Sequence, residues 1–347
     1  MNQTLNGIRR ILITILVAMG VGALFIVAIG ENPIDAYAAL FRGAFDGELR
    51  LGTTLAGFTP LLLTSIAFAV AAKAGAFNVG VEGEVFLGGI TAAYIGINWT
   101  FLPKPALYGA FVGAMVVAAA WAFIPAVLRA YYNVNEVCTT ILMNTVALYI
   151  TSYLVSGPMS AGTANAQSLP VTVRLYQFMK PSSVNVGIFI AAITVIVIIF
   201  MLQKSSWGYK IRTVGLNPTH ADYVGIDSKK VFVGAMMLSG MLGGMAGCIE
   251  VLGVHGYFLN NFATGLGSNG MLAALIVKNN MVSTPFMAFF LAVLKSGAMG
   301  MQQSTGVPKS LVDTITAVFI IIATMETAFQ FTKKRKKKTE EKKEDKA

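Results

Sequence analysis

Apolar runs of membrane-crossing length alternate with short polar breaks along almost the whole chain. Runs at 11–30, 52–72, 76–97, 106–128, 137–156, 186–202, 231–251, 285–301 and 310–329 each approach the ~20 residues that a helix needs to cross a ~30 Å hydrocarbon core, and 266–277 is a tenth, shorter run. The pattern predicts an all-α polytopic membrane protein with about ten transmembrane helices, some of them broken. The first run follows Arg9 and Arg10 as a signal peptide would, but it is long and many more runs follow, so it reads as an uncleaved span. The run 76–97 is interrupted early by FNVGVEGE. Non-helical backbone is tolerated inside a membrane only where it is buried in protein or lines a cavity.

Three polar stretches stand out between the runs. Residues 31–50 contain PIDAYAALFRGAF, whose apolar positions suit an interfacial amphipathic helix. Residues 157–184 form a long external segment rich in Ser, Thr, Ala and Pro. The longest interruption carrying five basic residues is 203–231. There Gly215 marks a turn, Asn217 can cap a helix, Pro218 fits the first helical position and Gly225 stops it. The expected product is a helix of about two turns, ~10 Å long, held between two spans where a partner can grip it.

Composition agrees with a membrane protein. Of 347 residues 55% are apolar and 12% charged, at a mean hydropathy of +0.68, against about 25% charged in soluble domains. The 35 glycines suit close helix packing in lipid. The net charge of +10 does not point to nucleic acid, because nine Lys/Arg against four acids after Thr332 supply half of it. Cys138 and Cys248 lie in apolar runs and give no disulfide framework. With both termini in the cytoplasm, nineteen Lys/Arg fall inside and six outside, as the positive-inside rule requires. The organisation expected is a cytoplasmic N-terminus at 1–10, a transmembrane domain at 11–330 with its polar loop at 203–231, and a disordered basic tail at 331–347.

Candidate pathway residues are the polar and aromatic groups within the runs: Phe77, Asn78, Glu82, Asn144, Glu250 and Asn269. Glu82 and Glu84 are expensive in lipid unless they face a cavity, a partner or the interface, and Lys73 is near enough in sequence to pair with either. Glu250 and Lys295 fall in the outer parts of their spans and can pair as structural glue or as a substrate contact. His255 is expected at the outer surface. Asn135 can cap the fifth span, and the Glu136 carboxylate complements its dipole. Phe77, Phe86, Tyr149 and Phe258 can stack on a planar ligand or simply pack. The glycine-rich breaks FNVGVEGE and GLGSNG, five spans apart, fit an inverted duplication or chance recurrence. No phosphate-binding loop, zinc or nucleophile-elbow motif is present, so the chain is not expected to be an enzyme.

Four stretches carry a resemblance: FNVGVEGEVFLGG at 77–89, NEVCTTILMN at 135–144, VGLNPTHADYVGI at 214–226 and SGMLGGMAGCIEVLGVHGYF at 239–258. In that order they resemble the permease subunits of ATP-binding-cassette importers, in the branch serving branched-chain amino acids, simple sugars and nucleosides. With NPIDAYAALFRGAF near the N-terminus, the chain looks most like the nucleoside or simple-sugar permeases; the basic tail is outside the pattern. The resemblance implies a second permease subunit, often a paralogue, cytoplasmic ATPases that hold ATP and Mg, and an external substrate-binding lipoprotein. No cofactor is implied on this chain. It also implies that 217–225 is the helix that docks on the ATPase, with Gly215, Asn217, Pro218, Ala221 and Gly225 as the coupling residues. The function expected is import of a nucleoside, such as guanosine, across the cell membrane. The alternatives are a simple sugar such as ribose or galactose, an ion-coupled secondary transporter using Glu82, Glu250 and His255, and a structural or receptor-like membrane protein.

Overall fold

The computed structural model describes residues 19–28, 30–99, 103–305 and the single positions 310, 313, 314 and 317. The expected N-terminus at 1–10, residues 11–18 and 29 of the first span, nearly all of the tenth and the tail at 331–347 lie outside the described residues. What is described is helical, with three isolated β-bridges. In chain order the helices are α1 (Met19–Ala28), α2 (Pro33–Phe45), α3 (Gly47–Lys73), α4 (Val81–Asn98), α5 (Pro103–Tyr132) and α6 (Glu136–Ser156). There follow α7 (Gly187–Lys204), α8 (Ser206–Leu216), α9 (Pro218–Tyr223), α10 (Ser228–Ile249), a π-helical turn (Glu250–His255), α11 (Leu266–Ile276) and α12 (Thr284–Thr305). Six of the described helices are long and apolar enough to cross a membrane: α3, α5, α6, α7, α10 with its π turn, and α12. The expected third span starts only at Val81, after an unwound stretch at 74–80, and the expected eighth is the 11-residue α11.

Two compact units divide the chain, residues 46–293 and residues 1–45 with 294–347. In the larger unit α3 and α10 form the buried centre. The sequence S-G-M-L-G-G-M-A-G on α10 explains how. Gly240 and Gly244, four residues apart, present bare backbone to Ala114, Ala118 and Ala122 of α5. Gly243 and Gly247 present the adjacent face to Glu84, Val85 and Gly89 of α4. Two small-residue grooves side by side let α10 lie against two helices at once, which is how dispersion replaces the hydrophobic effect in lipid. In the smaller unit Gly43 meets Gly297 and Gly300 in the same manner, beside a core of Ile26, Leu40 and Met301.

The segment at 157–186 is a strap hydrogen-bonded to the end of α10 and to α4. Ser168 exchanges bonds with Phe258, Val171 donates to the Gly256 carbonyl, Leu175 to that of Leu252, and Thr172 to that of Gly96. A side chain at Gly247 would collide with the Val85 carbonyl. Gly247→Val should therefore cost about 1–3 kcal/mol or more and lower the melting temperature of the detergent-purified protein. Gly57→Ala, where a Cβ meets nothing within 4 Å, should leave it unchanged or raise it slightly.

Candidate functional site

The unwound stretch before α4 is where sequence candidates converge. Asn78 is buried, and its Nδ2 donates to Glu84 Oε1 at 2.9 Å and to Ser239 Oγ of α10 at 2.9 Å, while its Oδ1 accepts from Gly80 N–H at 2.9 Å. Asn144, on α6, clasps the same stretch from the other side. Its Nδ2 donates to the Val79 carbonyl at 2.9 Å and its Oδ1 accepts from Gly83 N–H at 2.8 Å. Two asparagines thus satisfy the backbone groups that the break in the helix releases. Phe77 packs edge-on to Phe68, with ring centroids 5.0 Å apart.

Glu84 is buried, and its Oε2 meets no hydrogen-bond partner among the described residues. Glu82 is half-buried, and the backbone of Gly267 in α11 lies against it. Thr64 Oγ1 donates to the Leu266 carbonyl at 3.3 Å. The two glycine-rich breaks singled out in the sequence, FNVGVEGE and GLGSNG, are therefore in contact. Asn269, half-buried in the first turn of α11, lies two residues beyond that contact. Lys73 makes no ion pair with Glu82 or Glu84 among the described residues.

Glu250 and His255 sit in the π-helical turn at the C-terminal end of the α10 rod. A π-helical turn bonds residue i to i+5, which stacks positions five apart, and Glu250 Oε2 lies 3.5 Å from His255 Nε2. The sequence reading did not consider this partner. His255 is half-buried rather than a surface group and packs on Phe262 with centroids 5.8 Å apart. Phe86 and Phe258 are buried against the same ring. Of the four aromatics singled out as stacking candidates, Tyr149 alone is exposed, at 69%.

The loop at 203–231 holds two helices, not one. Asn217 Oδ1 accepts from His220 N–H at 3.0 Å, Pro218 occupies the first turn, and Gly225 closes the loop with φ +81°. Those three roles agree with the sequence reading, although the helix is six residues long. The reading of Gly215 as a turn is corrected: it lies within α8, and its bare backbone abuts the Lys73 carbonyl and Ala74 at the end of α3. Ile211, Val214 and Ala221 are buried in the main core. Asp222 accepts from Ser228 N–H and Oγ, both at 2.9 Å, tying α9 to the start of α10. Asp227 caps α10, and the backbone N–H and ammonium of Lys230 hold its carboxyl below the usual range. Leu216, Tyr223 and Val224 are exposed beside this anchored helix. Asn135 caps α6 as expected, through Val137 N–H at 2.9 Å, and Glu136 pairs with Arg129 at 3.1 Å.

Six apolar helices of spanning length packed around a polar break define a multi-pass membrane protein. Residues 50–324 match the family of permease components of branched-chain amino acid transport systems, and the chain belongs to that family. Three relatives align over most of their length. The guanosine ABC transporter permease protein NupP of Bacillus subtilis is 32% identical over 94% of this chain and 96% of its own. The glucose ABC transporter permease protein TsgB13 of Haloferax volcanii is 32% identical over 89% and 85%. The nucleoside ABC transporter permease protein NupB of Lactococcus lactis is 31% identical over 92% and 91%.

Asn144→Ala should strand the Val79 carbonyl and the Gly83 N–H without partners, at about 1–3 kcal/mol each. Thermal unfolding of the purified protein should fall by several degrees, and Asn144→Asp, which keeps only the acceptor, should fall part of the way.

Proposed function

We propose that this chain is one permease subunit of an ATP-driven importer that carries a nucleoside, with a purine nucleoside such as guanosine as its first candidate. The carrying observation is that two of the three relatives just described are named for nucleosides, and each aligns with more than 90% of this chain. A neutral cargo fits the interior, where the polar groups around the break are mostly amides and hydroxyls. A simple sugar is the second reading, supported by the glucose permease at the same 32% identity.

In this proposal the chain pairs with a second permease subunit, receives cargo from an external binding lipoprotein, and is driven by cytoplasmic ATPases that hold ATP and Mg. Helix α9 is the docking element. Its anchoring through Ala221 and Asp222, with Gly215 of the preceding α8, favours movement with the ends of α3 and α10 as one lever, and two packed arrangements of such a unit can couple distant sites. Leu216 and Tyr223 are the contacts offered to the ATPase. Phe77, Asn78, Glu82, Asn144, Glu250 and Asn269 remain candidates for the pathway wall, Asn78 and Asn144 through the backbone they hold.

Cells lacking this gene should lose uptake of labelled guanosine, with adenosine and uridine competing and ribose not. Loss of ribose or glucose uptake alone would move the cargo to the second reading. Leu216→Asp with Tyr223→Asp should leave the protein folded in the membrane, abolish co-purification of the ATPase and abolish uptake.

A further inference from the structure

A second exposed patch lies at the end of the bundle that carries α9. With 30 residues α5 is about 45 Å long, against a hydrocarbon core of ~30 Å, and Arg129 closes its apolar run. Beyond that arginine come Tyr131, Tyr132, Asn133 and Val134, all exposed, before Asn135 caps α6. The turn they make is held at several points. Asn133 ends α5 in the left-handed conformation, φ +56°, and Val134 N–H donates to the Leu128 carbonyl at 3.1 Å. Arg129 ties its two sides, donating to Asn133 Oδ1 at 2.9 Å and pairing with Glu136 at 3.1 Å. So fixed, the turn presents Tyr132, 72% exposed, and Val134, 40% exposed. Tyrosines at the edge of a span can serve as headgroup anchors. That role accounts neither for the valine in a polar turn nor for Tyr131, whose ring is covered by Lys229 with Nζ 5.3 Å from the centroid.

The Lys229 contact joins the turn to α9. Lys229 follows Ser228, whose N–H and hydroxyl are both bonded to Asp222 of α9, so the two loops meet at the first turn of α10. That junction carries Leu216, Tyr223 and Val224 from one loop and Tyr132 and Val134 from the other, all exposed. The turn also leads directly to the polar break. Nine residues after Asn135, about 13 Å along α6, Asn144 clasps Val79 and Gly83, while Ser239 of α10 holds Asn78 from the other side. A partner gripping α9 alone would move α3 and α10. One that also gripped the turn would hold α6, and the clasp changes only when α6 and α10 move against each other.

We propose that the turn at 131–134 is a second docking point for the ATPase, with Tyr132 and Val134 seated against it and Tyr131 and Lys229 bracing the turn to α10. The proposal rests on the ATP-driven reading above and adds a second contact to the one given there to α9. The occupant follows from the continuity of the two patches: a body seated on Leu216 and Tyr223 meets the turn next. A turn already fixed by Arg129 loses little freedom on docking, which favours the contact.

The test uses the full assembly, with the photocrosslinking residue p-benzoylphenylalanine placed singly at position 132, 223 or 193 of this chain. Positions 132 and 223 should each crosslink to the ATPase, and position 193, exposed on α7, should not. Tyr132→Asp with Val134→Asp should leave the protein in the membrane and reduce both ATPase co-purification and uptake about tenfold or more, the effect of removing central interface side chains; Tyr132→Phe should keep both within about twofold. A crosslink at 223 without one at 132, together with wild-type uptake by the double aspartate variant, would overturn the second docking point and leave the proposed function standing. Attachment of phospholipid alone at 132 would assign the tyrosine to the headgroup layer and overturn it equally. Absence of ATPase crosslinks at both positions would overturn the ATP-driven reading and this inference with it.

Discussion

Backbone groups inside a membrane must find partners within the protein, since there is no water to supply them. The rest of this subunit depends on how the chain meets that demand at 74–80, where the helix is broken between α3 and α4. Asn78 satisfies the break from within, and Asn144 satisfies it from α6. The break reverses the chain, sets the N-terminus of α4 against α11 and α10, and fixes α6 by the same clasp. A transport subunit needs an irregular segment near its interior to turn a helix bundle into something other than a solid rod. Here that segment is held, not loose.

Glycine does for the helices what asparagine does for the break. The paired grooves on α10 bring α4 and α5 to backbone contact, with no side-chain layer between them at Gly240, Gly243, Gly244 and Gly247. The start of α10 is where α9 is tied, through Asp222 and Ser228. Gly215 adds the end of α3 to the same assembly. The lever reading of α8 and α9 therefore rests on the contacts of Asp222, Gly215 and Ala221 with the larger unit.

Local chemistry was legible in the sequence and distant chemistry was not. Asn135, Asn217, Pro218 and Gly225 could be assigned because capping and helix termination depend on residues within one turn. The permease family was legible because four motifs stood in order. Gly215 was misread because a glycine for close approach and a glycine for a turn are the same letter, and only the arrival of Lys73 at its backbone distinguishes them. Helix α8 was missed within a stretch read as polar, although Ile211 and Val214 mark its buried side. The Asn144 clasp spans more than sixty residues of sequence, and the Glu250–His255 pair needs a π turn, which a spacing of five does not announce.

The most direct test of a locked break is hydrogen–deuterium exchange on the full chain in lipid nanodiscs, read on peptides covering 77–84. The amides of Gly80 and Gly83, paired to asparagine oxygens, should exchange as slowly as those in the middle of α3. Exchange within seconds, with α3 still protected, would show that the break is open to water and would contradict the account.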